Sequence, residues 1–366
     1  MTELARKVYP QKRPGRKKGI ALIIVLIMVV VLGILAGGFA YSMKVETTLA
    51  RRAAFTSELD WMGRSGVEVA KWILIQSSTG PNAQADSLKQ KWAGGPGETN
   101  DILQEIDMKN YPIGNGTVSI EIKDLDRKFN INVADEVILR QAMTLIGVDA
   151  SVGATVVNSI LDWRDPDSNT HPGGTESSTY EAMDPPYFAK DGPIDDLTEL
   201  LLVRGVTANM FWGSGGGGGP QIFNRAVSGR KSAFDEEPTY AVGLNELFTP
   251  ISSRLLNVNT ASANVLQMIP EIDANIAQAI ITARAGPDGQ DGTEDDTPFR
   301  SPQELTRIPG FGNPQAVAQL GQYFTVRSLC FEVHVTASVG GSKREYVAIL
   351  RRNASKDIPT LNLYWK

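Results

Sequence analysis

Lys17-Lys18-Gly19 stands directly against Ile20–Tyr41, IALIIVLIMVVVLGILAGGFAY, a run of 22 residues without one charged side chain. About 20 apolar residues are enough for a helix to cross a bilayer. Seven basic side chains (Arg6, Lys7, Lys12, Arg13, Arg16, Lys17, Lys18) and one acid (Glu3) give the first nineteen residues a charge of +6. Against a whole-chain charge of −5, the remainder therefore carries −11. Basic flanks stay on the cytoplasmic side. The pattern predicts a single-pass membrane protein with residues 1–19 in the cytoplasm and the rest emerging on the other side. A cleaved secretory signal has a shorter apolar region and a small-x-small site, which Gly38-Phe39-Ala40 matches only weakly.

Downstream, no Pro occurs between Pro14 and Pro81. Leu49, Ala53, Phe55, Leu59, Met62, Val67, Ala70, Ile73 and Leu74 follow at mostly helical spacing, with Arg51, Arg52, Glu58, Asp60, Arg64, Glu68 and Lys71 between them. The spacing predicts one helix from Ile20 to about Ile75, on the order of 80 Å long. Its first half lies in lipid and its second half lays an apolar stripe on a folded head. Gly33, Gly37 and Gly38 permit close helix approach in a membrane, or are simply tolerated.

The body reads as α+β. Val118, Ile120 and Ile122 alternate with Ser119 and Glu121, which predicts a strand over 117–123. Comparable alternation returns only at Phe324–Ser338, followed by Gly340-Gly341 as a hairpin turn and Tyr346–Arg352 as the returning strand. The 127–322 region between is then a mainly helical insertion into a small antiparallel sheet, and it looks duplicated. Phe129-Asn130-Ile131-Asn132-Val133-Ala134 matches Leu256-Asn257-Val258-Asn259-Thr260-Ala261. Each is followed by two helices (136–145 and 152–161; 263–268 and 276–283), an acidic loop, and a short helix running from Leu197 to Gly205 or from Gln303 to Gly310. Asn132 and Asn259, just ahead of helices, are expected to be caps. Gly213–Pro220 between the copies is a flexible linker without the Lys-Ser/Thr of a phosphate loop.

Apolar residues make up 42% of the 366, which excludes wholesale disorder, and one cysteine (Cys330) excludes an internal disulfide framework. Two histidines leave little room for His-based catalysis, and no nucleophile-elbow, zinc-protease or nucleotide-loop motif occurs, so no enzymatic activity is expected. His171 and His334 are read as surface or packing residues, Cys330 as a small buried one, and the six tryptophans as core. The acidic loops are the site candidates. Asp162, Asp165, Asp167, Asn169 and Glu176, with Glu181 and Asp184 nearby, set hard oxygen donors in the first copy. Asp288, Asp291, Glu294, Asp295 and Asp296 do so among glycines in the second. Such irregular oxygen-rich loops suit calcium.

The Gly19/Ile20 boundary resembles a type IV prepilin leader, cut after the glycine so that Ile20 becomes the first residue. Most such proteins carry Glu five residues after the cut, where this chain has Ile24. The missing Glu, the FNIN opening, the DWRDPD loop, the LTEL and LNVNTA segments and the closing VRSLCFEVHV strand together resemble the type II secretion protein K family of minor pseudopilins. The resemblance implies a leader at 1–19, a transmembrane helix half at 20–41, the periplasmic helix half and first part of a pilin-like head at 42–126, the inserted helical domain at 127–322, and the remaining head strands at 323–366. It also implies processing by the prepilin peptidase and a place at the tip of the pseudopilus. There the chain would start fibre assembly with the type I and type J minor pseudopilins, and calcium would sit in the insertion. An alternative is a membrane-anchored helix-hairpin-helix nucleic-acid receptor of a DNA-uptake or related fibre system. Segment 257–312 is similar to paired hairpins of that kind, but Pro270-Glu271-Ile272-Asp273 puts carboxylates where Pro-Gly-x-Gly would grip phosphate, and only Pro309-Gly310-Phe311-Gly312 fits. An acidic body predicts no DNA binding.

Overall fold

The computed structural model describes residues 19–79, 83–97, 102–214, 238–310 and 321–366. Helix α1 runs Ile20–Ser77. The chain divides into two units at Glu58/Leu59. In the first, the side chains of 20–49 lie exposed all round the helix, Leu22 and Tyr41 by more than 70%. A helix bare on every face and free of charge through Met43 is long and apolar enough to cross a membrane.

The second unit begins with the rest of α1, whose Leu59, Met62, Val67, Ala70, Ile73 and Leu74 are buried. They cover a five-stranded antiparallel sheet whose strands, from one edge to the other, span 111–113, 116–124, 330–339, 342–351 and 360–365. The helix comes so close that a Cβ on Gly63 would lie 2.3 Å from the Tyr346 ring, and one on Gly66 2.4 Å from Val335. The Tyr346 hydroxyl donates to Asp60 at 3.0 Å, pinning the helix from the side.

The sheet is assembled from both ends of the body. Strands β1 (Tyr111–Ile113) and β2 (Gly116–Asp124) come first. The insertion follows, opening with β3 (Phe129–Asn130), α2 (Glu136–Ile146), α3 (Ala150–Arg164), α4 (Ser177–Tyr180) and α5 (Ala208–Trp212). It continues with α6 (Leu244–Leu247), β4 (Phe248–Thr249), β5 (Leu256–Asn257), α7 (Ala263–Leu266), α8 (Ala274–Ala285) and β6 (Phe324–Thr325). Then β7 (Cys330–Val339), β8 (Ser342–Arg351) and β9 (Thr360–Trp365) complete the sheet. On the helix-facing side, Val118, Ile120, Ile122, Phe331, Val333, Val335 and Ala337 are buried in strict alternation, the period-two pattern of a half-covered sheet.

Several elements differ from the sequence reading. The insertion follows the second strand rather than the first, because the three-residue β1 precedes it. Among its described residues the insertion contains four two-residue strands, paired in parallel as β3·β4 and β5·β6; two residues carry no period to read. Phe324–Ser338 is two strands, the first belonging to the insertion. Trp61, Trp72 and Trp365 are exposed rather than core, whereas Trp92 is buried edge-on against Phe331 at 5.4 Å. Gly215–Pro220 of the linker lies outside the described residues.

Candidate functional site

The acidic loop of the first copy hangs from the end of α3. Asp135 caps α2 through the Ile138 amide (2.9 Å), left-handed Gly147 turns the chain, and Asp149 caps α3. At the far end, Arg164 donates to the carbonyls of Ile131 and Ala134 (the latter at 2.6 Å), which locks the last turn of α3 onto the FNINVA segment. Two residues earlier, fully buried Asp162 points into the loop. Its Oδ1 accepts from the His171 amide at 2.9 Å and meets His171 Nδ1 at 2.5 Å, while Oδ2 accepts from the Thr175 amide at 2.5 Å. Gly174 passes so close that a Cβ there would overlap the Asp162 carboxylate.

Asp162, Asp165 and His171 bring one ligand atom each to within 4.8 Å of one another. Glu176 lies beside them, only 6% exposed, and its Oε1 is buried without a hydrogen-bond partner, as is Asp165 Oδ1. Burial, with Asp167 beside it, pushes the Asp165 carboxyl above its usual range; burial next to Asp162 does the same to Glu176. The Asp162 hydrogen bond pushes His171 up. Carboxylate oxygens left without donors are the donor set a hard divalent cation satisfies. Asp167 and Asn169 stand outside this cluster, exposed and joined to each other by a 2.8 Å bond from the Asn169 amide; Glu181 and Asp184 are exposed as well.

The second loop is built differently on the same scaffold. Arg284 repeats Arg164, donating to the carbonyls of Val258 (2.6 Å) and Ala261 (2.8 Å), the matching positions of the LNVNTA segment. Here the loop's carboxylates are taken by the chain's own donors. Asp291 forms a two-pronged pair with Arg284 at 2.9 and 2.6 Å. Asp296 accepts from the Gly292 and Thr293 amides, Asp295 from the Asp288 amide and the Thr293 hydroxyl, and Asp288 from the Gln290 amide. Glu294 is exposed. Aligning the arginines sets Thr282 and Ala285 where the first copy has Asp162 and Asp165.

Asn132 and Asn259 are not helix caps; Asp135 and Ser262 cap the helices that follow them. Each asparagine instead grips both backbone groups of one distant residue. Asn132 accepts from the Ile194 amide at 2.7 Å and donates to the Ile194 carbonyl at 2.9 Å; Asn259 does the same with Phe299 at 2.8 and 2.9 Å. A carboxamide offers an acceptor and a donor side by side, the complement of a peptide edge. The hairpins repeat too. Glu271 takes the left-handed conformation (φ 70°) that Gly147 takes in the first copy, and Gly205 and Gly310 face Val156 and Ile276 at equivalent turns. The hairpin shape survives with a carboxylate where phosphate-gripping hairpins need a bare backbone. Phe311 and Gly312 lie outside the described residues.

Models of the family described as type II secretion system (T2SS), protein K, match residues 120–212 and 256–327, one match to each copy. The chain belongs to the type II secretion system protein K family. Among relatives, it is 21% identical to a type II secretion system protein K of Aeromonas hydrophila, over 94% of this chain and 96% of that one. It is 23% identical to one of Pseudomonas aeruginosa, over 92% and 89%. A chain of the solved GspK-GspI-GspJ complex from the enterotoxigenic Escherichia coli Type 2 Secretion System shares the fold, with a TM-score of 0.61 at 16% identity over 87% of this chain and 99% of that one.

In this member of the family, Gly19 immediately precedes α1, with Ile20 and Ile24 exposed on its first turns; residues 1–18 lie outside the described residues. Of the ten acidic-loop residues singled out in the sequence, the fold brings Asp162 and Asp165 together, with His171, and buries Glu176 near them. Sequence reasoning missed His171 as a member. The signal was there in principle, since it sits nine residues after Asp162 in a short Pro/Gly loop that must turn back on itself.

Proposed function

We propose that this minor pseudopilin occupies the tip of the type II secretion pseudopilus. It waits in the inner membrane through residues 20–41, with its basic end in the cytoplasm and its body in the periplasm. The prepilin peptidase cuts between Gly19 and Ile20, and the subunit then starts the fibre together with the type I and type J minor pseudopilins, supporting export of folded proteins across the outer membrane. The work is non-covalent: a helix moves from lipid into a bundle of helices.

The observation that carries this reading is the two-faced head half of α1. One face is sunk into the sheet at Gly63, Gly66 and Ala70. The other presents Trp61, 70% exposed, and Trp72, 37% exposed, with Ser65 and Glu68 between them. Positions 61, 65, 68 and 72 follow the 4-3-4 spacing of a seam that packs against a neighbouring helix. Ile24 supports the tip position, because a subunit with nothing ahead of it needs no carboxylate to meet a neighbour's terminal amine. The relative in the solved complex is assembled with GspI and GspJ. In the inserted domain, the unpaired oxygens of Asp165 and Glu176, beside Asp162, would hold one calcium ion, which would supply a fixed positive charge that rigidifies the loop.

The test is recovery of the subunit from envelopes of its own cells. Its first residue is expected to be Ile20, and photocrosslinkers at positions 61 and 72 are expected to trap the type I and type J subunits. A subunit that keeps residues 1–19, or whose crosslinks at both positions miss every pseudopilin, refutes the proposal.

A further inference from the structure

The chain leaves the sheet at Asp124–Asp126 and returns to it at Ser328–Cys330, and both crossings share one buried cluster of side chains. Asp86, Asp124 and Asp126 are 2%, 3% and 0% exposed. Asp124 Oδ2 accepts from the hydroxyls of Ser328 (2.6 Å) and Thr260 (2.5 Å) and from Asn257 Nδ2 (3.3 Å), and its Oδ1 from the Asp126 amide (2.8 Å). Asp126 accepts from the amides of Ser253 and Leu329, both at 2.5 Å, and of Cys330 at 3.3 Å. Asp86 accepts from the Ser328 amide (2.8 Å) and pairs with Arg352 (2.7 Å). Arg352 spends that nitrogen on Asp86 and the Ser328 carbonyl, and its guanidinium lies over the Phe331 ring at 4.8 Å. Among the described residues no cationic side chain hydrogen-bonds Asp124 or Asp126. Three carboxylates against one guanidinium leave an excess of buried negative charge, which a low-dielectric interior sheds by taking up a proton. The two hydroxyls on Asp124 can turn to accept as well as donate, so a neutral carboxyl fits there without orphaning a partner.

We propose that the joint between sheet and inserted domain is a proton-dependent clasp: one proton held by the Asp124–Asp126 pair keeps the exit and return segments together, and its loss loosens them.

Burial, with Asp126 next to it, pushes Asp124 up to about 7, and burial raises Asp126 too. The other charged or titratable groups facing the pair are Asp86 from segment 83–97, which adds repulsion, Arg352 at the end of the sheet, and Cys330 at the start of β7. Burial, with Asp126 beside it, pushes the Cys330 thiol up to about 12 against the opposing charge of Arg351, so it stays neutral. Asn257, Thr260 and Ser253 contribute only neutral donors. In an open joint Asp124 returns to about 3.9. The closed joint therefore binds a proton that the open one lacks between roughly pH 4 and 7, so closure is favoured at acidic pH and weakens as pH rises through 7.

Hydrogen exchange on the detergent-solubilised full chain, corrected for intrinsic rates, tests this between pH 5.5 and 8.5. Protection of peptides covering 124–130, 251–258 and 326–331 is expected to fall about ten- to thirty-fold across that range, while α2 and α3 keep theirs. Asp124→Asn is expected to abolish the slope. Should that variant fail to fold, carbon-13 titration of the wild-type Asp124 carboxyl is expected to show a midpoint near 7. Protection at the joint that does not change with pH, a carboxyl midpoint below 5, or a folded Asp124→Asn chain that keeps the wild-type slope would overturn the clasp.

Discussion

Replacing Asn259 with alanine should cost far more than the same change at Asn132, although the two residues do the same job in the two copies. Asn259 is 2% exposed, and both of its clamp bonds go to Phe299, itself 5% exposed. Alanine would strand one buried N–H and one buried carbonyl. Leaving a buried group unpaired costs about 1–3 kcal/mol, so the pair comes to about 3–4 kcal/mol, a large share of a typical domain's stability. Asn132 makes three bonds, to Ile194 twice and to the Pro250 carbonyl at 3.1 Å, but it is half-buried, and water can replace part of what is lost. Its cost should be about 1–2 kcal/mol. Asn259→Asp sharpens the test: it keeps an acceptor for the Phe299 amide but sets a second carboxylate oxygen against the Phe299 carbonyl, so it should be at least as harmful as alanine. Urea unfolding of the full chain in detergent, followed by tryptophan fluorescence, measures the totals. Hydrogen exchange at the Phe299 and Ile194 amides locates them. Equal costs at the two sites, or an Asn259→Asp chain as stable as wild type, would refute the clamp reasoning.

Gly66→Ala sets a methyl 2.4 Å from Val335 Cγ1; overpacking costs about 1–3 kcal/mol, offset by about 1 kcal/mol of helix propensity, so the head should lose stability in thermal unfolding and regain it when Val335→Ala is added. Calcium titration by isothermal calorimetry should show one ion bound per chain, with thermal stabilisation of about 2.7 kcal/mol at a hundredfold excess over Kd. Glu176→Gln and Asp165→Asn should abolish that binding, whereas Asp291→Asn should leave it intact.

The copies show where sequence stops being enough. The FNINVA and LNVNTA segments are legible as a repeat because each is one turn whose side chains bond the backbone nearby, so the same local letters recur. What the asparagines grip lies 62 and 40 residues away, and a local reading could offer only a local role, the cap. Likewise the two acidic loops look alike as strings. Which carboxylates are free and which are spent depends on Arg284 reaching Asp291, on Thr293 serving Asp295 and Asp296, and on Glu176 being buried beside Asp162 with an oxygen unpaired.

The sequence by itself determined the long apolar helix, the alternation of the central strands, the repeated FNINVA and LNVNTA segments and the acidic character of the loops. Each of these is a pattern of solvent preference along a short length of chain, and such preference is a property of the residues themselves. Only the tertiary structure decided that Trp61 and Trp72 face outward while Gly63 and Gly66 face in, that Asp162, Asp165 and His171 meet, and that Asp86, Asp124 and Asp126 crowd around one arginine. The first depends on which side of a helix a sheet covers, the second on how a nine-residue loop closes on itself, and the third on segments as far as 266 residues apart; no local periodicity encodes any of them.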